Sequence, residues 1–429
     1  MIKIIETGDR ESVKLIKDLL NRSQLEFGEV NKSVEKILED VKENGDKALY
    51  KYTKKFDGVE LDNLIVSDNE IDEAYNSCDS KLIEALEEAK DNIWNYHSKQ
   101  LNNSWIWNKD KGIILGQIYN PIEKVGIYVP GGTAPYPSTV LMNAVPAKVA
   151  GVKEIIMVTP PSKDGKINKN ILAAAKVAGV DRIFKIGGAQ AIGALTFGTE
   201  TIPKVDKIVG PGNIYVAIAK RMVYGYVDID MIAGPSEILI IADNNANEKY
   251  IAADMLSQAE HDVLASSILI TTSKELAVRV RDEIERQVKQ LSRRDIIEKA
   301  LNDYGVIIVV NDLEESVELS NKIAPEHLEL MVDKPFELVN SIKNAGAIFM
   351  GEYSPEPLGD YFAGPNHTLP TSGTAKFFSP LGVDDFYKKS SIIYYDRESL
   401  NKCKNKIIRI AEEEGLTAHA NSIKVRFEG

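Results

Sequence analysis

Cysteine is nearly absent: the 429 residues hold two, Cys78 and Cys403. Two thiols cannot build a disulfide framework, and their scarcity fits a reducing compartment, with the cytoplasm as default. No apolar run approaches the roughly 18 residues that a membrane span requires. The opening segment MIKIIETGDRESVK lacks the apolar core of a secretory leader. Excess positive charge is missing too, and the net charge of -12 argues against nucleic acid or an anionic membrane as the main partner. Neither a GxGxxG fingerprint nor a Gly-Lys-Ser/Thr phosphate loop occurs, so the two commonest nucleotide signatures are excluded. Histidine is scarce as well, at five residues, which makes each one a candidate to be accounted for.

What is present is an ordinary globular composition, 44% hydrophobic and 27% charged, in a chain long enough for two or three domains. A short β-type run opens the chain. Amphipathic spacing predicts helices over 9–23, over 33–43 (Val34, Ile37, Leu38, Val41) with a stop at Gly45, and over 80–100 (Leu82, Leu86, Ile93). From about residue 113 the texture changes. The β-branched runs KVGIYVP, EIIMVTP, DRIFKIG and EILIIAD alternate with Ala-rich helical stretches. A second series follows in SSILITT, YGVIIVV, HLELMV and GAIFM. Alternation of this kind predicts an α/β fold with mostly parallel strands, and two series predict two wound domains facing a cleft. No internal repeat, low-complexity segment or long linker is visible.

Three glycine-rich turns fall at strand ends: 125–138 (VGIYVPGGTAPYPS), 185–198 (KIGGAQAIGALTFG) and 208–221 (IVGPGNIYVAIAKR). Glycine lets backbone amides approach a ligand, and helix N-termini favour phosphate, so three such turns in succession point to a ligand crevice. In 254–262, DMLSQAEHD, helical spacing makes Gln258 and His261 neighbours on one face, half of a mixed N/O metal shell. A helix end with its polar groups in water reads equally from the same residues. In 323–330, IAPEHLEL, Glu326 and His327 stand at a loop-to-strand junction. They are either a solvent-facing edge or a base beside a water-activating carboxylate. The stretch 351–375 is read as a long loop carrying Asp360 and His367. Its aromatic residues argue for order, and loops of that length are uncommon without a function. Glu414, a helix stop at Gly415, and His419 follow near the C-terminus, while His97 in NIWNYHSKQ reads as surface or structural.

The combination VGIYVPGG, IVGPGN, AGPSE, SQAEHD, APEHLEL, LGDYFAGPNHTLPT and LTAHA resembles the histidinol dehydrogenase family, over about 125–419. That resemblance implies two incomplete Rossmann-like, aldehyde-dehydrogenase-like domains. The first would span 25–125 with 239–380, and the second, 126–238, would bind NAD. Segments 1–24 and 381–429 would serve a homodimer with shared active sites. It further implies one Zn2+ per subunit on Gln258, His261, Asp360 and His419, and substrate contacts from Ser236, Gln258, His261, His327, Asp360, Glu414 and His419. NAD contacts would come from Tyr128, Gln190 and Asn213, and Glu326 and His327 would be catalytic. The implied reaction is the NAD-dependent four-electron oxidation of L-histidinol to L-histidine through the aldehyde, with no nucleic acid or membrane partner. Because Cys78 and Cys403 lie outside every motif, hydration of the aldehyde is expected rather than a thiohemiacetal. Three alternatives stay open: a zinc hydrolase with Glu326 as base, a dehydrogenase of another polyol or amino alcohol, and a catalytically silent relative. His367 is expected to play a structural part.

Overall fold

The computed structural model describes residues 2–8, 28–131 and 135–428. The helix expected over 9–23, and with it most of the 1–24 segment, lies outside them. The described chain separates into two compact units, one of 1–100 with 122–386 and a smaller one of 101–121 with 387–429.

Both β-rich series form all-parallel sheets in the larger unit. The strands β1 (Lys3–Glu6), β9 (Glu237–Ala242), β10 (Ser266–Thr271), β11 (Gly305–Val309), β12 (His327–Met331) and β13 (Ala347–Met350) make a six-stranded sheet. Its order is β1-β11-β10-β9-β12-β13. The central strands β9, β10 and β12 are buried along their whole length, as expected of a parallel sheet covered on both faces. The strands β4 (Lys124–Tyr128), β5 (Glu154–Thr159), β6 (Arg182–Lys185), β7 (Lys207–Val209) and β8 (Asp228–Ile229) make a five-stranded sheet, ordered β6-β5-β4-β7-β8. Against it pack the helix Gly28–Asn44, through Val34, Ile37, Leu38 and Val41 as the spacing predicts, and the helix Gly188–Phe197. Segment 64–66 extends this sheet past β6, with Lys185 N–H donating to Leu64 O at 2.7 Å. Seven residues, 230–236, lead from the end of β8 to the start of β9. The chain thus leaves the carboxyl edge of one sheet and enters the amino edge of the other.

Four local readings are corrected. Gly45 does end the first helix, but a second one, Asp46–Phe56, starts at once. The stretch 351–375 is not a plain loop: Asp360 rides on a short helix, Glu356–Tyr361. His261 lies two residues past the end of the helix Glu248–Ala259 rather than on it, linked through its N–H to Gln258 O at 3.3 Å. His97 is fully buried, not at the surface, and its Nδ1 meets Ile93 O at 2.8 Å.

The smaller unit holds an antiparallel sheet, ordered β14-β3-β2, of β2 (Trp105–Asp110), β3 (Ile113–Pro121) and β14 (Tyr387–Tyr395). Two helices follow, Arg397–Glu413 and Thr417–Lys424, with Gly415 between them as the stop. Only Gly116, Ser399, Ala411 and Ala420 are buried in this unit.

Candidate active site

The site forms at the amino edge of the six-stranded sheet. β12 begins at His327, in register with Ile238 of β9 on one side and Ala347 of β13 on the other. The turn into it needs a left-handed residue, Ala324, at φ 55°, a conformation a non-glycine residue rarely adopts outside constrained sites. Gly346 lies so close that a Cβ there would stand 2.5 Å from Glu326 O. The Ala347 N–H donates to that carbonyl at 2.9 Å. Segment 324–327 is therefore held from both sides.

Within it, Glu326 and His327 are buried and both engage Glu237. The Glu237 N–H donates to Glu326 Oε2 at 2.8 Å, and His327 Nδ1 donates to Glu237 O at 3.0 Å. A carbonyl can only accept, so the contact puts the ring proton on Nδ1 and leaves Nε2 facing the cavity. Nε2 has no hydrogen-bond partner and lies 3.6 Å from Asp360 Oδ1. Burial raises the Glu326 carboxyl above its ordinary range. Burial alone would lower His327, but the carboxylates of Glu326 and Asp360 outweigh it and raise the imidazole. The solvent-facing reading of this pair is excluded; it is a desolvated acid–base pair.

Asp360 reaches the site because its short helix is tied down twice. The Glu356 N–H donates to Glu329 Oε1 of β12 at 2.8 Å, and Ser257 Oγ donates to Glu356 Oε2 at 3.0 Å. The second bond joins this helix to the end of the helix that carries Gln258. Gln258 is completely buried, and neither its Oε1 nor its Nε2 has a partner. An amide left so costs stability, about 1–3 kcal/mol. It is accounted for if a ligand takes the oxygen. Burial lowers His261, and the charge of Asp360 raises it against that, ahead of any other charged group. Asp360 itself is held low, near 2: burial raises it, while His327 and His367 outweigh that and lower it. His367 Nδ1 meets Asp360 O at 3.1 Å. Amide oxygen, imidazole and carboxylate form a donor set that fits a zinc-type cation. Residues His327, Glu356 and Asp360 offer ligand atoms within 4.8 Å of one another. Glu356 was missed from the sequence, although its position four residues before Asp360 puts both on one helix face. His419 and Glu414 lie in the smaller unit, exposed on its helical pair.

The three glycine-rich turns stand at the carboxyl ends of β4, β6 and β7. The Gly188 N–H donates to the Tyr128 hydroxyl at 3.0 Å, and a Cβ on Gly210 would lie 2.2 Å from Tyr128 O. These links draw the turns bearing Tyr128, Gln190 and Asn213 together. Tyr128 and Gln190 are buried, and Gln190 Oε1 lacks a partner. Asn213 is exposed, and its Oδ1 accepts from the N–H groups of Tyr215 and Val216 at the start of the helix Ile214–Val223. Ser236, at the end of the 230–236 link, accepts at its carbonyl from the Ser266 N–H at 3.0 Å.

Comparison with known proteins matches the family model for histidinol dehydrogenase over residues 20–427. The chain belongs to the histidinol dehydrogenase family. It is 60% identical over 428 residues to a histidinol dehydrogenase of Clostridium acetobutylicum, covering 100% of this chain and 99% of that one. A Bacillus cereus histidinol dehydrogenase is 57% identical over 427 residues, with 100% and 99% covered. The crystal structure of histidinol dehydrogenase from Elizabethkingia anophelis superposes with a TM-score of 0.94 at 41% identity, covering 100% of this chain and 98% of that chain. The activity is that of a histidinol dehydrogenase, an oxidoreductase of histidine biosynthesis, and the α/β fold with parallel sheets is that of the family. Among the described residues no helix is long and apolar enough to cross a membrane.

Proposed function

We propose that this histidinol dehydrogenase takes L-histidinol to L-histidine in two successive NAD-dependent oxidations in the cytoplasm, using the Glu326–His327 pair for both proton transfer and hydration. The observation that carries this reading is the free Nε2 of a buried His327 whose Nδ1 is fixed on Glu237 O. Once deprotonated, a base so oriented can take the alcohol proton as hydride leaves the carbinol carbon for the nicotinamide. An aldehyde yields a second hydride only after water adds. Glu326, raised by burial, is basic enough once ionised to draw a proton from that water. His327 returns its proton to the carbonyl oxygen as the water adds, and takes one again from the gem-diol as the second hydride departs. The Cys78 thiol is directed at Lys169 O and Asn170, and Cys403 at carbonyls of its own helix, which supports hydration over a thiohemiacetal.

Gln258, His261, Asp360 and His419 would hold the zinc ion. When bound, it supplies Lewis-acid positioning of the substrate's nitrogen and oxygen atoms. Ser236 and Glu414 would contact the amino alcohol, and Tyr128, Gln190 and Asn213, in the half spanning 126–238, would receive NAD. Because His419 and Glu414 belong to the smaller unit, we read the active site as shared by two copies of the chain. The exposed apolar surface of that unit supports this reading: Trp105, Ile106, Trp107, Ile393, Tyr394 and Ile410 are each about half exposed or more. Mixing inactive His327→Asn and His419→Asn chains should restore about a quarter of wild-type activity if sites are shared; a verified mixed dimer without activity would exclude sharing. The reaction itself is tested by stoichiometry. Two NADH and one histidine per histidinol are expected, and one NADH with free aldehyde would overturn the four-electron reading.

A further inference from the structure

A buried ion pair outside the catalytic edge grips one of the glycine-rich turns. Lys220 Nζ and Asp230 Oδ1 are in contact, and their side chains are 3% and 1% exposed. Both partners also hold the same residue, Gly210, one through each of its flanking peptides. Lys220 Nζ donates to Gly210 O at 2.9 Å, and the Gly210 N–H donates to Asp230 Oδ2 at 2.8 Å. Asp230 Oδ1 also accepts the Met231 N–H at 2.5 Å. The gripped residue has no freedom on its other side. Gly210 is at φ 108°, with the Tyr128 carbonyl where its Cβ would be.

Fold stability is a weak reason for such a pair, because burying two charges costs about what their attraction returns, and apolar residues of the same volume often do as well. Its placement supplies a better one. The sequence from Gly210 runs through Asn213, whose side chain caps the helix Ile214–Val223, and that helix returns Lys220 to Gly210 two turns later. The pair thus closes a ring around the turn 209–213. Its other member, Asp230, opens the 230–236 link that ends at Ser236 and Glu237. Glu237 is the residue whose amide holds Glu326 and whose carbonyl holds His327.

We propose that the Lys220–Asp230 pair is a positioning device that locks the dinucleotide turn 209–213 and the link to the catalytic edge into one rigid piece. The proposal rests on the reading of Tyr128, Gln190 and Asn213 as the NAD contacts. Loosening the pair frees the turn from the link, so dinucleotide binding weakens while the metal site, whose ligands come from other segments, keeps its affinity.

The test uses the full chain with zinc, comparing wild type with Lys220→Met/Asp230→Asn, which removes both charges and leaves no lone buried ion. NADH binding is followed by fluorescence titration, alongside thermal midpoint, zinc content and the two Michaelis constants. The expected result is an NADH Kd and an NAD KM raised about tenfold, the scale of one lost hydrogen bond. The histidinol KM should rise less than the NAD KM, through Ser236 at the far end of the link, and zinc content should be unchanged. A folded double variant that binds NADH as wild type does would overturn the positioning role. Should the double variant not fold, Lys220→Met/Asp230→Leu decides by the same titration, because it also removes both charges and puts apolar residues in the buried space. A wild-type chain that itself binds no NADH would instead overturn the dinucleotide reading and the proposal with it.

Discussion

The amino edge of the six-stranded sheet and the carboxyl edge of the five-stranded sheet treat buried polar groups differently. At the first, Gln258 has both amide atoms unpaired, and His327 Nε2 and Glu329 Oε2 also lack partners. At the second, the Tyr128 hydroxyl, Asp230, Lys220 and the Asn213 carbonyl are each spent on a backbone group, with Gln190 Oε1 and Thr159 Oγ1 the exceptions among the described residues. Unpaired buried groups are expensive, so an edge that keeps several is shaped for something other than its own stability. An edge that wires its turns together is a rigid platform. Ligands of open α/β sheets ordinarily bind outside the carboxyl ends of the strands, which is where the five-stranded sheet carries its three glycine-rich turns. The catalytic pair breaks that rule, sitting where β9 and β12 begin. Connectivity makes the two compatible, since the 230–236 link delivers the chain from one edge to the other.

The sharpest way to break this contrast is at His327. His327→Asn should slow both oxidations by roughly 100- to 10,000-fold, the range for losing an acid–base group. Rates measured separately with histidinol and with histidinaldehyde check it, and a loss confined to one would contradict a shared base. Next comes Gln258. If its unpaired amide is kept for a ligand, Gln258→Leu should stabilise the metal-free chain, by about 1–3 kcal/mol, while weakening zinc binding. Denaturation of metal-stripped protein and a zinc titration read the two effects; destabilisation of the stripped protein would make Gln258 structural.

A smaller effect separates ordinary burial from site burial. His97 ends the helix Ser80–His97 and has no part in the acid–base pair, and burial holds its pKa below the usual value. Unfolded His97 takes a proton below about pH 6.5 while the folded form resists. Its contribution to stability is therefore present above that pH and lost as the pH falls through it. The slope is at most about 1.4 kcal/mol per pH unit. Stability curves of metal-stripped wild type and His97→Gln should converge in shape above pH 7 and diverge below 6. Parallel curves throughout would show that folding leaves the His97 pKa unchanged.

The strands of both parallel sheets were legible because buried parallel strands are written as unbroken β-branched runs, EILIIAD and EIIMVT among them. The antiparallel sheet was not. Its strand Trp105–Asp110, WIWNKD, is exposed throughout and offers no buried face to set a period. Local reading likewise placed Glu326 and His327 at a strand start correctly, but their burial comes from β9 and β13 on either side, which no local pattern encodes. Glu356 escaped notice because SPEPLGDY reads as a proline-rich loop. Pro355 and Pro357 in fact sit at the entry of a helix, where a missing N–H costs nothing. The ligand set, by contrast, came from motif resemblance and not from spacing. The structure brings Gln258, His261 and Asp360 to one edge through the Ser257–Glu356 bond, a contact between residues 99 apart.

The central claim, that one buried pair performs both oxidations with Glu326 needed only for hydration, is tested most directly by a single turnover of Glu326→Gln with histidinol and excess NAD. The account predicts a burst of one NADH per site at close to the wild-type rate, followed by a much slower second equivalent, with histidinaldehyde held on the protein in between. Two equivalents released together at the wild-type rate would contradict it.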